Sequence, residues 1–228
     1  MKTTTAVIAS LATLSQLACA TYLESTFANY FSTGPVATNS WIREANTTLV
    51  LPKTNSPQVG NLALWPGMGT SGGDLIQALA ISSDNGETCT TESGFWCITA
   101  STLESEQIEG TLVPAAAGSL VTMHYKYNDT SSQYDQTVSL NGTVVSKIST
   151  SSGHAQGWGT AIECQETECG FVPGHKYINT KLTMDVADPD YGQTLATYNA
   201  TGELTTADGG LTWTVATIVI GATTFSAS

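Results

Sequence analysis

Short runs of alternating apolar and polar residues, separated by turn residues, most constrain what this chain can fold into. The clearest case is QYDQTVSL at 133–140 and TVVSKIS at 143–149, which Asn141-Gly142 joins. A two-residue loop of this kind needs positive φ at both positions, so it predicts a type I′ β-hairpin. Lys, Arg and Glu at helical spacing are nearly absent. We therefore expect an all-β antiparallel sandwich or jelly roll of about a dozen strands and almost no helix.

The remaining turn signals divide the chain at fairly regular spacing. The other predicted strands cover about 46–52, 60–65, 74–82, 95–103, 119–127, 158–164, 176–186 and 194–204, with a last hairpin turning at about 208–210. Residues 21–45 look irregular, with Trp41 as an anchor onto the sandwich. Glu104, Glu106 and Glu109 are predicted to lie in a solvated turn.

The N-terminus has the pattern of a secretory signal peptide. Lys2 precedes an apolar stretch that is too short and too rich in Thr and Ser to span a bilayer, and Ala18-Cys19-Ala20 fits a cleavage site. We predict a signal peptide at 1–20, a single β-sandwich domain at 21–228, and an extracellular location. No later segment has the length of apolar sequence that a membrane helix needs.

Charge and cysteine content narrow the partners and the compartment. The formal net charge is −12, which argues against nucleic acid and anionic membranes as partners; we expect a monomer. After signal removal four cysteines remain, for which three pairings exist, and the short loops favour Cys89–Cys97 and Cys164–Cys169. The glycosylation sequons, expected at surface positions, are at Asn46, Asn128, Asn141 and Asn199.

Two polar residues interrupt apolar strands and are the candidate catalytic groups. Gln77 lies within DLIQALAIS, a run that is apolar or small on both faces and predicts a central strand. Glu163 lies between Ile162 and Cys164 rather than in the acidic loop that follows. A carboxylate in a partly desolvated groove can serve as a general base or acid, and an amide can donate to an oxyanion.

The order of several short motifs resembles the fungal glutamic peptidases, the eqolisins. These motifs are NTTLVLP, LWPGM, LIQAL and AIEC, and the resemblance spans most of 41–225. It implies a concanavalin A-like double-sheet fold, a catalytic pair of Gln77 and Glu163, and Trp65 lining the substrate groove. No metal or cofactor is implied. The family's aromatic-rich strand is replaced here by FWCITASTLES, and no long propeptide follows the signal.

Other functions remain open at this point. A non-catalytic glycan-binding or cell-wall module would use Trp65 and Trp158 as sugar-stacking platforms. A polysaccharide lyase would use His124 with Tyr125 and Tyr127, although alternation places the histidine and the tyrosines on opposite faces of one strand.

The sequence gives little support for a metal site or for other known catalytic motifs. Asp185, Asp188 and Asp190 could bind calcium but fit a plain turn better. Signatures of sandwich glycanases, serine hydrolases, zinc peptidases and P-loop proteins are absent from the sequence. The expected substrate is a polypeptide or a cell-wall glycan.

Overall fold

The computed structural model describes residues 25–83, 89–90 and 92–226. The predicted signal peptide lies outside these residues. Within them the chain is almost entirely β-structure, with one short 3-10 turn at Tyr191–Thr194. No helix in this part is long and apolar enough to cross a membrane. The all-β prediction is confirmed.

Two antiparallel sheets pack face to face, and among the described residues their ladders are connected through the pair of Ala155 with Ile42. The first, which we call the site sheet, contains β14 (Ala196–Tyr198), β1 (Thr26–Thr33), β11 (Ala155–Cys164), β3 (Asn61–Thr70), β4 (Leu75–Ser83), β5 (Phe95–Leu103) and, on the far edge of β5, both β6 (Gln107–Glu109) and β7 (Val113–Ala116).

The second sheet, the back sheet, closes the other side of the core. It contains β10 (Thr143–Thr150), β9 (Gln133–Leu140), β8 (Leu120–Asn128), β2 (Ile42–Val50), β13 (His175–Met184), β16 (Thr212–Ile220) and β15 (Ala200–Thr201). A separate ribbon pairs β12 (Gly170–Val172) with β17 (Thr223–Phe225).

The main core lies between the sheets and is built from alternate residues of each strand. In β4 these are Ile76, Ala78 and Ala80, all with no exposed surface. The intervening residues face outward, and four of them, Ala63, Trp65, Leu79 and Ala161, form a second, smaller buried cluster on the outer surface of the site sheet. β4 is therefore a central strand with an apolar surface on both sides, as its sequence predicts.

The hairpin at Asn141-Gly142 is confirmed, with φ of 48° and 87° at the two positions. Two local predictions were wrong. Residues 21–45 were predicted to be irregular, but 26–33 within that segment form β1. This strand pairs with β11. The long strand predicted at 194–204 is instead two short strands, β14 and β15, because Asn199 adopts a φ of 45° between them.

Both predicted disulfides are present, Cys89–Cys97 and Cys164–Cys169. Each closes a local loop next to a strand of the site sheet. The first holds the segment before β5, and the second joins the end of β11 to the start of the β12 ribbon. The pairing follows from proximity along the chain.

The four sequons lie at positions of differing exposure. Asn141 and Asn199 are exposed, whereas Asn46 and Asn128 are half-buried. Asn46 lies mid-strand in β2, opposite His124 of β8. Glycosylation at these positions stays a prediction.

Candidate active site

Strand pairing determines which candidate residues share a surface. Directly opposite residues in an antiparallel ladder point to the same face. Gln77 is opposite Gly67, and Gly67 is opposite Gly159. Because Gly159 and Glu163 are four positions apart on β11, Glu163 also points to this face. We call this outer surface of the site sheet, which carries Gln77, Trp65 and Glu163, the site face.

Gln77 is a buried residue whose side-chain amide lacks a hydrogen-bond partner within the described part of the protein. Only 5% of the residue is exposed, yet its side-chain amide makes no hydrogen bond to any residue that the structure describes. On the β3 side its neighbour, Gly67, has no side chain, and a Cβ there would come within 3.0 Å of the Ile76 carbonyl oxygen. On the β5 side it faces Ser101. The cross-strand neighbours of Gln77 are therefore a glycine and a buried serine.

Glu163 and Trp65 form a fixed pair further along the face. The Trp65 indole Nε1 donates to Glu163 Oε2 at 2.9 Å, and Gln165 Nε2 donates to Oε1 at 3.3 Å. Each oxygen of the Glu163 carboxyl group therefore has an N–H donor. Trp65 is 4% exposed and has the edge of Phe27 against its ring, at 6.5 Å between centroids. Trp65 is thus a packing residue that orients Glu163.

The spacing between Gln77 and Glu163 is large. They are two strands apart and four residues apart along the strand, which sheet geometry converts to about 16 Å between Cα atoms. Side chains of this length extend about 5 Å from Cα, so a gap of about 6 Å would remain even if both leaned together. The structure places the two residues on one face but at separate positions.

Trp158 was predicted to bind substrate, and the structure contradicts this. It is 1% exposed and lies in the main core, where it packs against Phe31 with 6.4 Å between ring centroids. The reason is the period of two along β11: Glu163 is at an odd position and faces outward, so Trp158 at an even position faces the core.

Sequence reasoning also missed Glu109. Instead of a solvated turn, Glu109 ends the short strand β6 and is directly opposite Ser101, which is itself opposite Gln77. Glu109 therefore lies in the cross-strand row of Gln77. The residue is exposed at the edge of the sheet, and partial burial of its carboxyl raises its pKa above the usual glutamate value. A three-residue strand is too short for a periodic signal, so the sequence offered no indication of this position.

The lyase candidates do not meet Gln77. His124 is on the back sheet, where its Nε2 lies 2.7 Å from Glu44 Oε1. Tyr125 points the other way into the core, and its hydroxyl donates to the Pro66 carbonyl oxygen at 2.7 Å. The opposite orientations expected from alternation are confirmed, so this set forms no common groove.

The acidic loop after β13 has local partners for each carboxylate. Asp188 accepts from the backbone N–H groups of Ala37 and Asp190, Asp185 pairs with Arg43, and Asp190 accepts from Gln193. These contacts are those of a turn. The described residues contain no group of three or more metal-ligating side chains close enough to hold an ion.

Comparison with solved structures identifies the fold. Two structures of scytalido-glutamic peptidase, one with a peptide-based transition state analog and one with a transition state analog inhibitor, superpose with TM-scores of 0.51 and 0.53. Identity is 13% and 12%, and in each case 85% of this chain and 98% of that chain are covered. A prokaryotic β-1,3-1,4-glucanase matches with a TM-score of 0.36 and 8% identity over 86% of this chain and 79% of its own.

Sequence comparisons return nothing further: no family model and no curated protein matches the chain. The structural similarity shows the fold alone at these identities. The resemblance predicted from the short motifs is thus confirmed as a structural one, and the chain has the concanavalin A-like double-sheet fold that the glutamic peptidases also have.

Proposed function

We propose that this protein is an acid hydrolase of the glutamic-peptidase type, acting on polypeptide at the site face. The observation that carries this proposal is Gln77. Gln77 is 5% exposed, and its side-chain amide makes no hydrogen bond to a described residue. Placing an amide in an otherwise apolar strand without a protein partner carries a desolvation cost. A hydrogen-bond donor kept free in this way suits an oxyanion that forms during the reaction.

The chemistry needs Gln77 and one carboxylate. The carboxylate takes a proton from water as the water oxygen bonds to the peptide carbonyl carbon, and the Gln77 N–H stabilises the negative oxygen that results. The protonated carboxyl then gives its proton to the departing amine while the C–N bond breaks. Glu163 is the carboxylate that the motif order predicts for this role.

The glycan-binding alternative finds less support. Both tryptophans proposed as sugar platforms are buried, Trp65 at 4% exposure and Trp158 at 1%. Sugar stacking needs an accessible ring face. The two disulfides meanwhile support an oxidising compartment, in keeping with the proposed secretion.

The proposal is tested by hydrolysis of an unstructured protein substrate at mildly acidic pH in the presence of an aspartic-peptidase inhibitor. We expect Gln77→Ala to lower kcat/KM by about 10²–10³-fold, the usual effect of removing an oxyanion donor. Gln193→Ala, an exposed glutamine far along the chain, is the control. No turnover by the unsubstituted protein, or full activity in Gln77→Ala, rejects the proposed function.

A further inference from the structure

We propose that the outer surface of the back sheet binds an acidic polysaccharide, that is, a glycan chain whose sugars carry carboxylates. This surface lies on the opposite side of the sandwich from Gln77, so the inference is independent of the proposed function. It names a second site and the chemical class of its ligand.

Strand register brings most of the chain's few cations to this surface. Four of the seven Lys and Arg residues lie on it, all exposed: Lys126, Lys147, Lys176 and Lys181. The intervening residues Tyr125 and Leu182 are buried in the main core, so alternation directs the lysines outward. Because the formal net charge of the chain is −12, this concentration of cations is a local property of one face.

One cross-strand row of this surface carries the proposed contacts. In order across the sheet it contains Lys147, Thr137, His124, Asn46, Lys181, Thr214 and Thr205. Four strand spacings separate the Cα atoms of Lys147 and Lys181, which is about 19 Å. The row therefore offers ammonium groups to carboxylates along an extended chain, with hydroxyl and amide groups between them for the sugar hydroxyls.

The two lysines of the row are free to pair with a ligand. Lys147 and Lys181 make no ion pair with any residue that the structure describes. Their neighbours differ, because Glu44 Oε1 lies 2.7 Å from His124 Nε2 and Glu44 Oε2 lies 3.7 Å from Lys126 Nζ. A ligand carboxylate can thus contact Lys147 and Lys181 without first breaking an ion pair.

A polar groove lies at the Lys181 end of the row, over β13, β16 and the segment 203–205. Its volume is about 590 Å³, which is within the range of about 300–1,000 Å³ for small-molecule sites. A bulge on β13, where Asn179 has a φ of 56°, adds the exposed Asn179 amide to this side. The polar side chains that line the groove are Asn179, Lys181, Glu203, Thr205, Thr214 and Thr217. Amide, hydroxyl and carboxylate groups in one groove suit the hydroxyls of a sugar ring.

The chemistry of the row favours a glycan over a protein or a nucleic acid. Protein interfaces are depleted in Lys and enriched in aromatic residues and Met, whereas the row has no apolar side chain. It also lacks Arg, which is enriched where phosphate is bound in a bidentate manner. The acidic remainder of the chain repels an extended anionic surface, but a single polymer strand interacts with charges within a screening length of about 8–10 Å.

Binding of the full chain to polygalacturonate, measured by isothermal titration calorimetry, tests the proposal. We expect Lys147→Ala combined with Lys181→Ala to weaken binding about threefold to thirtyfold, because two carboxylate contacts are lost. Added salt should weaken binding by the unsubstituted protein. Asn179→Gly removes the amide but suits the positive φ, and should weaken binding about twofold to tenfold. Lys53→Ala, at an exposed lysine in the loop after β2, is the matched control.

The outcomes separate a specific site from general charge attraction. Weaker binding in the double lysine variant and in Asn179→Gly, with unchanged binding in Lys53→Ala, supports the proposal. Absence of binding, an equal loss in Lys53→Ala, or equal binding of a neutral β-glucan overturns it. A glycan found on Asn46 by mass spectrometry also overturns it, because that glycan would cover the middle of the row. Unfolding curves of the variants exclude loss of fold, and no outcome depends on hydrolysis at the site face.

Discussion

Replacing Gln77 with methionine separates a functional amide from a structural one. Methionine has nearly the shape of glutamine but carries no polar group, and the neighbouring outward residues on β4, Leu75 and Leu79, are apolar. Because the native amide makes no hydrogen bond to a described residue and only 5% of Gln77 is exposed, its removal deletes a partial desolvation cost and no protein hydrogen bond. We expect Gln77→Met to stabilise the fold by about 1–2 kcal/mol, which raises Tm by about 3–6 °C for a chain of this size.

Gln136 provides the matched control, because it is another buried glutamine in the same sandwich. It is 1% exposed, its amide nitrogen donates to the Ser101 and Gln77 carbonyl oxygens, and its oxygen accepts from the Thr102 and Thr150 hydroxyls. Gln136→Met removes these hydrogen bonds, although the Thr102 and Thr150 hydroxyls keep their own contact at 2.9 Å, so we expect a loss of about 1–3 kcal/mol.

Urea unfolding of the two variants and of the unsubstituted protein measures both effects, and the peptidase assay runs alongside. Gain of stability together with loss of activity in Gln77→Met is the expected result. If Gln77→Met loses as much stability as Gln136→Met, then Gln77 has a structural partner, and the reasoning that assigns it to catalysis is refuted.

Three further predictions concern the core and its cross-links. Trp158→Ala should cost about 3–5 kcal/mol in urea unfolding, because it empties a buried site; a near-neutral change would place Trp158 at the surface. Burial lowers the pKa of His175 from 6.5 to about 4, so the folded protein keeps this ring neutral, and stability falls as pH drops through that interval, by up to about 3 kcal/mol. The difference in unfolding free energy between the unsubstituted protein and His175→Gln should change over this range, and a pH-independent difference would contradict the assignment. Replacing both Cys89 and Cys97 by serine should lower the free energy of unfolding by about 2–3 kcal/mol, because the unfolded chain then gains the conformational entropy of an open loop. An unchanged thermal unfolding curve would contradict that value.

Local patterns were sufficient wherever the physical cause is local. The Asn141-Gly142 turn needs positive φ at two adjacent residues, and few other dipeptides supply it, so the hairpin could be predicted from the sequence. The two disulfides close short loops, so chain proximity selected their pairing. β1 was missed because TFANYFST lacks clean alternation; it becomes a strand through its pairing with β11, a partner far along the chain.

The same distinction between local and long-range causes applies to the candidate site. The sequence by itself determined that Gln77 is a polar residue in an apolar strand and that Glu163 alternates to the outward side, because side-chain direction follows the period of two within a strand. Only the tertiary structure decided which residues are neighbours across strands. The strand register places Glu163 about 16 Å from Gln77 and puts Glu109 in the same cross-strand row as Gln77. Register depends on which strands pair and at what offset, and those pairings join residues that no local sequence pattern connects.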